Sequence, residues 1–178
     1  MRSRSIKAAL LAVLLLPTLA SVARAGACDV PLAAMNKLWQ TPHHQYMSQT
    51  AAYLKGQTRT GEIITTRTDR YLLVDGKWHR SALGKEELAQ MIEENEANAR
   101  KDVCTFVRNE SVNGESAALY STLHVTEDDS STTQIWISKQ SGLPLKLETD
   151  RDVGGALGKS HTSLRVDYTN VAPPTAVK

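Results

Sequence analysis

The chain has 178 residues, 21 Lys and Arg against 19 Asp and Glu, and a formal net charge of +2. That balance, with no basic stripe and no acidic block, excludes a nucleic-acid surface and a solvating tail. The length beyond the N-terminal segment suits one domain with one core.

Arg2, Arg4 and Lys7 form a positive head, followed by an apolar run over residues 8–16 that continues past Pro17 to Val22. Ala23-Arg24-Ala25 then offers small residues at the −3 and −1 positions of a peptidase site. Residues 1–25 are therefore expected to be a secretory signal cut before Gly26, leaving a periplasmic domain over residues 26–178. The apolar core is shorter than the ~20 residues that cross a bilayer, so a membrane span is not expected. Lipidation at Cys28 is the competing outcome; Arg24 between the cysteine and the apolar core speaks against it. Cys28 and Cys104 are the only cysteines, and an isolated pair in an exported chain reads as a disulfide. A metal site would need further ligands, and neither cysteine has a CxxC partner or a nearby His.

In chain order, residues 31–40 form a short helix, with Asp29 as its cap, Pro31 in its first turn and Leu32, Met35, Leu38 and Trp39 on one face. Thr41-Pro42 ends it. Residues 44–54 are extended, and residues 62–68 form a Thr- and Ile-rich strand. Residues 71–74 and 77–80 make a hairpin about Asp75-Gly76, a type I′ pair. Residues 81–101 break the alternation: Leu88, Met91 and Ile92 make one stripe of a longer helix, and Glu93 to Glu96 face water. A meander follows, with strands over residues 105–112 and 115–125 about Asn113-Gly114, then 134–139 and 143–152 about Ser141-Gly142, then 161–171.

Side-chain parity carries the fold expectation. Leu119, Leu123 and Val125 share one parity, as do Ile135 and Ile137, then Leu143, Leu145 and Leu147, then Leu164, Val166 and Tyr168. Polar residues, among them Lys146 and Glu148, take the opposite parity. A period of two gives one apolar and one wet face, and the two amphipathic helices are the available cover for the apolar one.

The run Trp136-Ile137-Ser138-Lys139, continuing through Gly142-Leu143-Pro144-Leu145, resembles a strand-turn-strand that recurs in the periplasmic lipoprotein carrier family, the outer-membrane lipoprotein-sorting proteins. Val112-Asn113-Gly114-Glu115 is similar to that family's preceding hairpin, and Asp167-Tyr168-Thr169-Asn170-Val171 before prolines to its last strand. The resemblance implies an α+β fold: a curled antiparallel sheet, a half-barrel, with a short N-terminal helix and one longer inserted helix covering the concave face. It also implies an apolar cavity beneath the helices. The lining expected from parity and stripe is Met35, Trp39, Leu88, Met91, Leu119, Leu123, Ile135, Ile137, Leu145 and Leu147. A smaller pocket, or one filled by Met35, Trp39 and Met91, fits equally.

No nucleophile elbow is present, and the five histidines show no pairing at helical metal-site spacing. His43 and His44 would point to opposite faces of a strand. No catalytic residue, cofactor or metal is expected. The expected function is non-catalytic periplasmic binding of an apolar ligand, a lipid or the acyl chain of a lipidated protein, in a carrier or sensor role. The alternative is an envelope interaction module with a filled cavity, docking a protein partner through its sheet or the acidic loop 127–129.

Overall fold

Two hairpins close where the backbone can turn left-handed. Asp75 and Gly76 have φ of 50° and 71°, and Asn113 and Gly114 have 53° and 86°. Both central residues of a type I′ turn need positive φ, which Asp, Asn and Gly tolerate best. The chain is seen in a computed structural model that describes residues 27–177 except 82, 83, 100 and 156, with the side chains at 85 and 98 also undescribed. The expected signal segment and its cleavage point lie outside the described residues.

The elements are α1 (Asp29–Gln40), β1 (His43–Ala51), a short 3-10 turn (Ala52–Leu54), β2 (Thr58–Thr65), β3 (Arg70–Val74), β4 (Lys77–Ser81), α2 (Lys85–Ala99), β5 (Val103–Val112), β6 (Glu115–Val125), β7 (Ser130–Ser138), β8 (Pro144–Asp152) and β9 (Lys159–Asp167). Among the described residues, nine strands form one antiparallel sheet in the order β4-β3-β2-β1-β9-β8-β7-β6-β5. β4 and β5 are its two edges and do not pair, so the sheet is open and curled around α1. This is the expected half-barrel.

The boundaries moved for local reasons. Asp29 does not cap α1: Cys28 occupies the N-cap position and Asp29 sits inside the first turn, where its charge still complements the helix dipole. β2 ends at Thr65 because Thr66 turns back, its N–H donating to the Asp69 carbonyl at 2.8 Å. β9 ends at Asp167, whose carboxylate takes the Thr169 N–H at 2.8 Å and bends the chain. The Thr169 hydroxyl, donating to the same oxygen at 2.7 Å, and that N–H together hold the Asp167 carboxyl below the usual carboxylate range.

Strand register decides the two faces. On the side bearing α1, Met47, Leu164, Leu147, Ile135, Tyr120 and Phe106 are successive cross-strand partners, one row over six strands. The neighbouring row on the outer side is Tyr46, Arg165, Lys146, Trp136, Leu119 and Arg108. Its cations lie over its rings, Arg165 at 4.2 Å from the Tyr46 centroid and Lys146 at 4.6 Å from that of Trp136. The Trp136 indole also donates to Glu110. Such contacts let an outer face carry apolar groups.

The expectation that all the leucines share the helix-covered face is therefore corrected. Ile135, Ile137 and Leu147 join Ala34 and Leu38 in the core under α1. Leu119 and Leu145 pack with Ala117 and Trp136 in a second cluster on the outer face. Leu123, partnered with Val103 and Thr132, shares that outer parity and is exposed. Parity orders residues within a strand, but the hairpin register aligns Leu119 with Trp136 rather than Ile135. A β-bulge opposite Trp136 and Ile137 then displaces Leu145 from the face of Leu147.

Candidate functional site

α1 is held over β7 and β8 by four attachments. Its buried stripe, Ala34 and Leu38, packs on Ile135, Ile137, Leu147 and Val166. Cys28 at its start is disulfide-bonded to Cys104 on β5. Lys37 donates to the Ser141 carbonyl in the β7–β8 turn. Asn36 Nδ2 donates to Glu96 Oε1 of α2 at 3.3 Å. α2 leans on α1 more than on the sheet, so the cover of the inner face is chiefly α1 with α2 behind it.

Beneath the N-terminal half of α1 lies an open cavity of about 270 Å³. Leu32 and Met35 form its roof, Ile135 and Leu147 its floor, and the disulfide, with Asn95 and Ala99 of α2, its wall. Thr122, Thr133 and Thr149 ring the floor. Thr133 and Thr149 bond to each other at 3.1 Å, and Thr122 faces the Cys104 sulfur at 3.6 Å. Hydroxyls so occupied offer methyl groups to the cavity, so the surface presented is largely apolar. The volume lies just below the roughly 300–1,000 Å³ of sites that enclose a drug-sized ligand.

A second cavity, about 620 Å³, opens at the other end of α1, lined among others by Trp39, Thr65, Arg70 and Leu88. The Ala34–Leu38 contact with the sheet lies between the two.

Of the residues expected to line one cavity, Met35, Ile135 and Leu147 meet in the first. Ile137 is buried beside it under α1. Trp39 and Leu88 line the second cavity, and Met91 lines neither. Leu119, Leu123 and Leu145 are outside, on the other face. Sequence reasoning missed the threonines of the first cavity. The signal was present, since Thr133 has the parity of Ile135, but a threonine on an alternating strand looks like the wet face.

Three of the five histidines are tied to carboxylates. His44 Nε2 lies 2.9 Å from Glu62, His124 Nδ1 2.6 Å from Asp102, and His161 Nδ1 2.8 Å from Asp150. His43 and His44 do point to opposite faces. His124 and His161 also separate, the former in the inner row of Ser131 and the latter with Asp150 outside. His43 is fully buried, and burial lowers its pKa below the ordinary imidazole value. Among the described residues, no three His, Cys, Asp or Glu side chains gather as a metal site, and no helix is long and apolar enough to cross a membrane.

Solved structures similar to the chain include the following three. Lipoprotein LppX of Mycobacterium tuberculosis is 10% identical, with a TM-score of 0.46 over 82% of this chain and 97% of that one. LprF of Mycobacterium bovis is 11% identical, with a TM-score of 0.44 over 84% and 97%. A putative outer membrane lipoprotein-sorting protein domain of Vibrio parahaemolyticus is 11% identical, with a TM-score of 0.31 over 83% and 95%. No family model matches the sequence, and no curated protein matches it.

Proposed function

We propose that residues 26–178 form one exported domain that binds an apolar ligand, a lipid or lipoprotein acyl chain, without catalysis and in the periplasm. The observation that supports this most is the apolar cavity between Met35 and Leu32 above and Ile135 and Leu147 below. An acyl chain there loses contact with water, which stabilises the complex by about 25 cal/mol per Å² of apolar surface removed. α1 acts as the lid. Its stripe and the ligand compete for the same patch of sheet, so binding exchanges one apolar contact for another. That keeps the exchange reversible, as a carrier or sensor requires.

The test is a titration with 11-(dansylamino)undecanoate, read by its fluorescence. Wild type should bind it saturably. Thr133→Trp, which fills the cavity, should weaken binding at least about tenfold, a loss of roughly 1.4 kcal/mol. Thr132→Trp, one residue away on the outer face and exposed, should bind as wild type does. Equal binding by the two variants would remove the cavity from the account.

A second reading has one observation in its favour. Val103, Leu123 and Val125 are exposed neighbours on the outer face of β5 and β6, as a docking surface for an envelope protein would be. A protein with only that function gives no saturable dansyl binding, so the same titration separates the readings.

A further inference from the structure

We propose that the cavity at the C-terminal end of α1 holds a carboxylate, making the ligand an amphiphile whose acid group seats at Arg70, Trp39 and Thr65. This rests on the apolar-ligand reading for the tail but on separate observations for the head.

The three residues come from three elements that the fold brings together. Thr65 and Arg70 are cross-strand partners on β2 and β3, in the inner row that continues to His43. Trp39, in the last turn of α1, lies over them, with the Arg70 guanidinium 5.2 Å from the centre of its ring. All three line the same 620 Å³ cavity. Arg70 Nε, Trp39 Nε1, the Thr65 hydroxyl and, beside them in the row, His43 Nε2 are each buried and, among the described residues, without a hydrogen-bond partner. The first three can each donate a proton and belong to residues that line the cavity. A group of unsatisfied donors beside a guanidinium is complementary to an oxyanion that reaches it as the cavity opens.

The charge balance points the same way. Arg70 forms no ion pair among the described residues, and burial lowers its pKa. The acid of the cavity wall, Asp69, is already engaged by Arg80 and Thr68. Of the C-terminal carbonyls of α1, those of Lys37 and Leu38 accept from Thr41. A desolvated guanidinium without a counter-charge is unfavourable unless a ligand supplies one, and its planar fork matches a carboxylate. Trp39 is seven residues from Leu32, about 10 Å along the helix. An acid held at Arg70 can therefore run its chain beneath the lifted α1 into the first cavity.

Two measurements on the full domain test this. In the first, dodecanoate and dodecanol compete for bound N-phenyl-1-naphthylamine, a fluorescent probe with no acid group. Wild type should take dodecanoate at least tenfold more tightly than dodecanol. Arg70→Gln should abolish that preference, bringing dodecanoate to the affinity of dodecanol. Equal affinity for the two in wild type overturns the carboxylate site while sparing the apolar-ligand reading. In the second, butanoate, too short to fill the first cavity, is titrated while the Trp39 indole N–H resonance is followed, assigned with Trp39→Phe. A saturable downfield shift supports the site even if dodecanoate and the dansyl probe both fail to bind, which sinks only the apolar-ligand reading. No shift at Trp39 refutes the site whatever the long chains do. Thr65→Val, which leaves the charge in place, should reduce the butanoate shift and keep the fold.

Discussion

Replacing Cys28 and Cys104 together with serine is expected to lower the free energy of unfolding by about 4 kcal/mol. The cysteines are 76 residues apart, and in the chain-entropy model closing a loop of that size removes this much freedom from the unfolded chain. For a domain of about 150 residues the melting temperature should fall by roughly 10 °C. The folded state also loses something, because the bond is the covalent tie between α1 and the sheet and forms one wall of the first cavity. Thermal unfolding of wild type with and without reductant, beside the double serine variant, measures it. A fall below about 1 kcal/mol would show that the packing of Ala34 and Leu38 holds α1 in place unaided.

Leu38→Ala should be nearly as costly, about 2–5 kcal/mol, the usual range for emptying a buried leucine site. Leu38 is fully buried, and its side chain is the main one by which α1 grips the sheet. If α1 is the lid, this loss has a second consequence of opposite sign. The closed state competes with ligand, so loosening it raises the fraction of protein ready to bind, and apparent affinity rises with that fraction. The variant should melt earlier yet bind the dansyl probe several-fold more tightly. Stability and affinity falling together would show that α1 is part of the binding wall and does not move.

The sequence was most informative where chemistry is local. Asp75-Gly76 and Asn113-Gly114 marked two hairpins because few other pairs accept their backbone, and the two cysteines had only each other. The antiparallel sheet with helices over one side followed from alternation and from the two apolar stripes; its open, curled form came from the family resemblance of the C-terminal hairpins. What alternation did not carry was the relation between strands. Leu119 and Ile135 look equivalent in a list of apolar positions, yet register sets them on opposite faces, and a single bulge moves Leu145 away from Leu147. The outer face also holds apolar groups that a one-sided sheet would not, because Arg165 and Lys146 cover its rings. The donors at Arg70, Thr65 and Trp39 were invisible for another reason. They are scattered between positions 39 and 70 and become a group only when β2, β3 and the end of α1 meet.

The central claim is that an acyl chain lies on the α1 side of the sheet. Intermolecular NOEs between dodecanoate and the methyl groups of the protein report contacts only a few ångströms long, so they separate one face from the other. The expected result is contact with Met35, Ile135 and Leu147 and none with Leu119, Leu123 or Leu145. Contacts confined to the second set, with Met35 and Ile135 silent, would place the ligand outside and contradict the account.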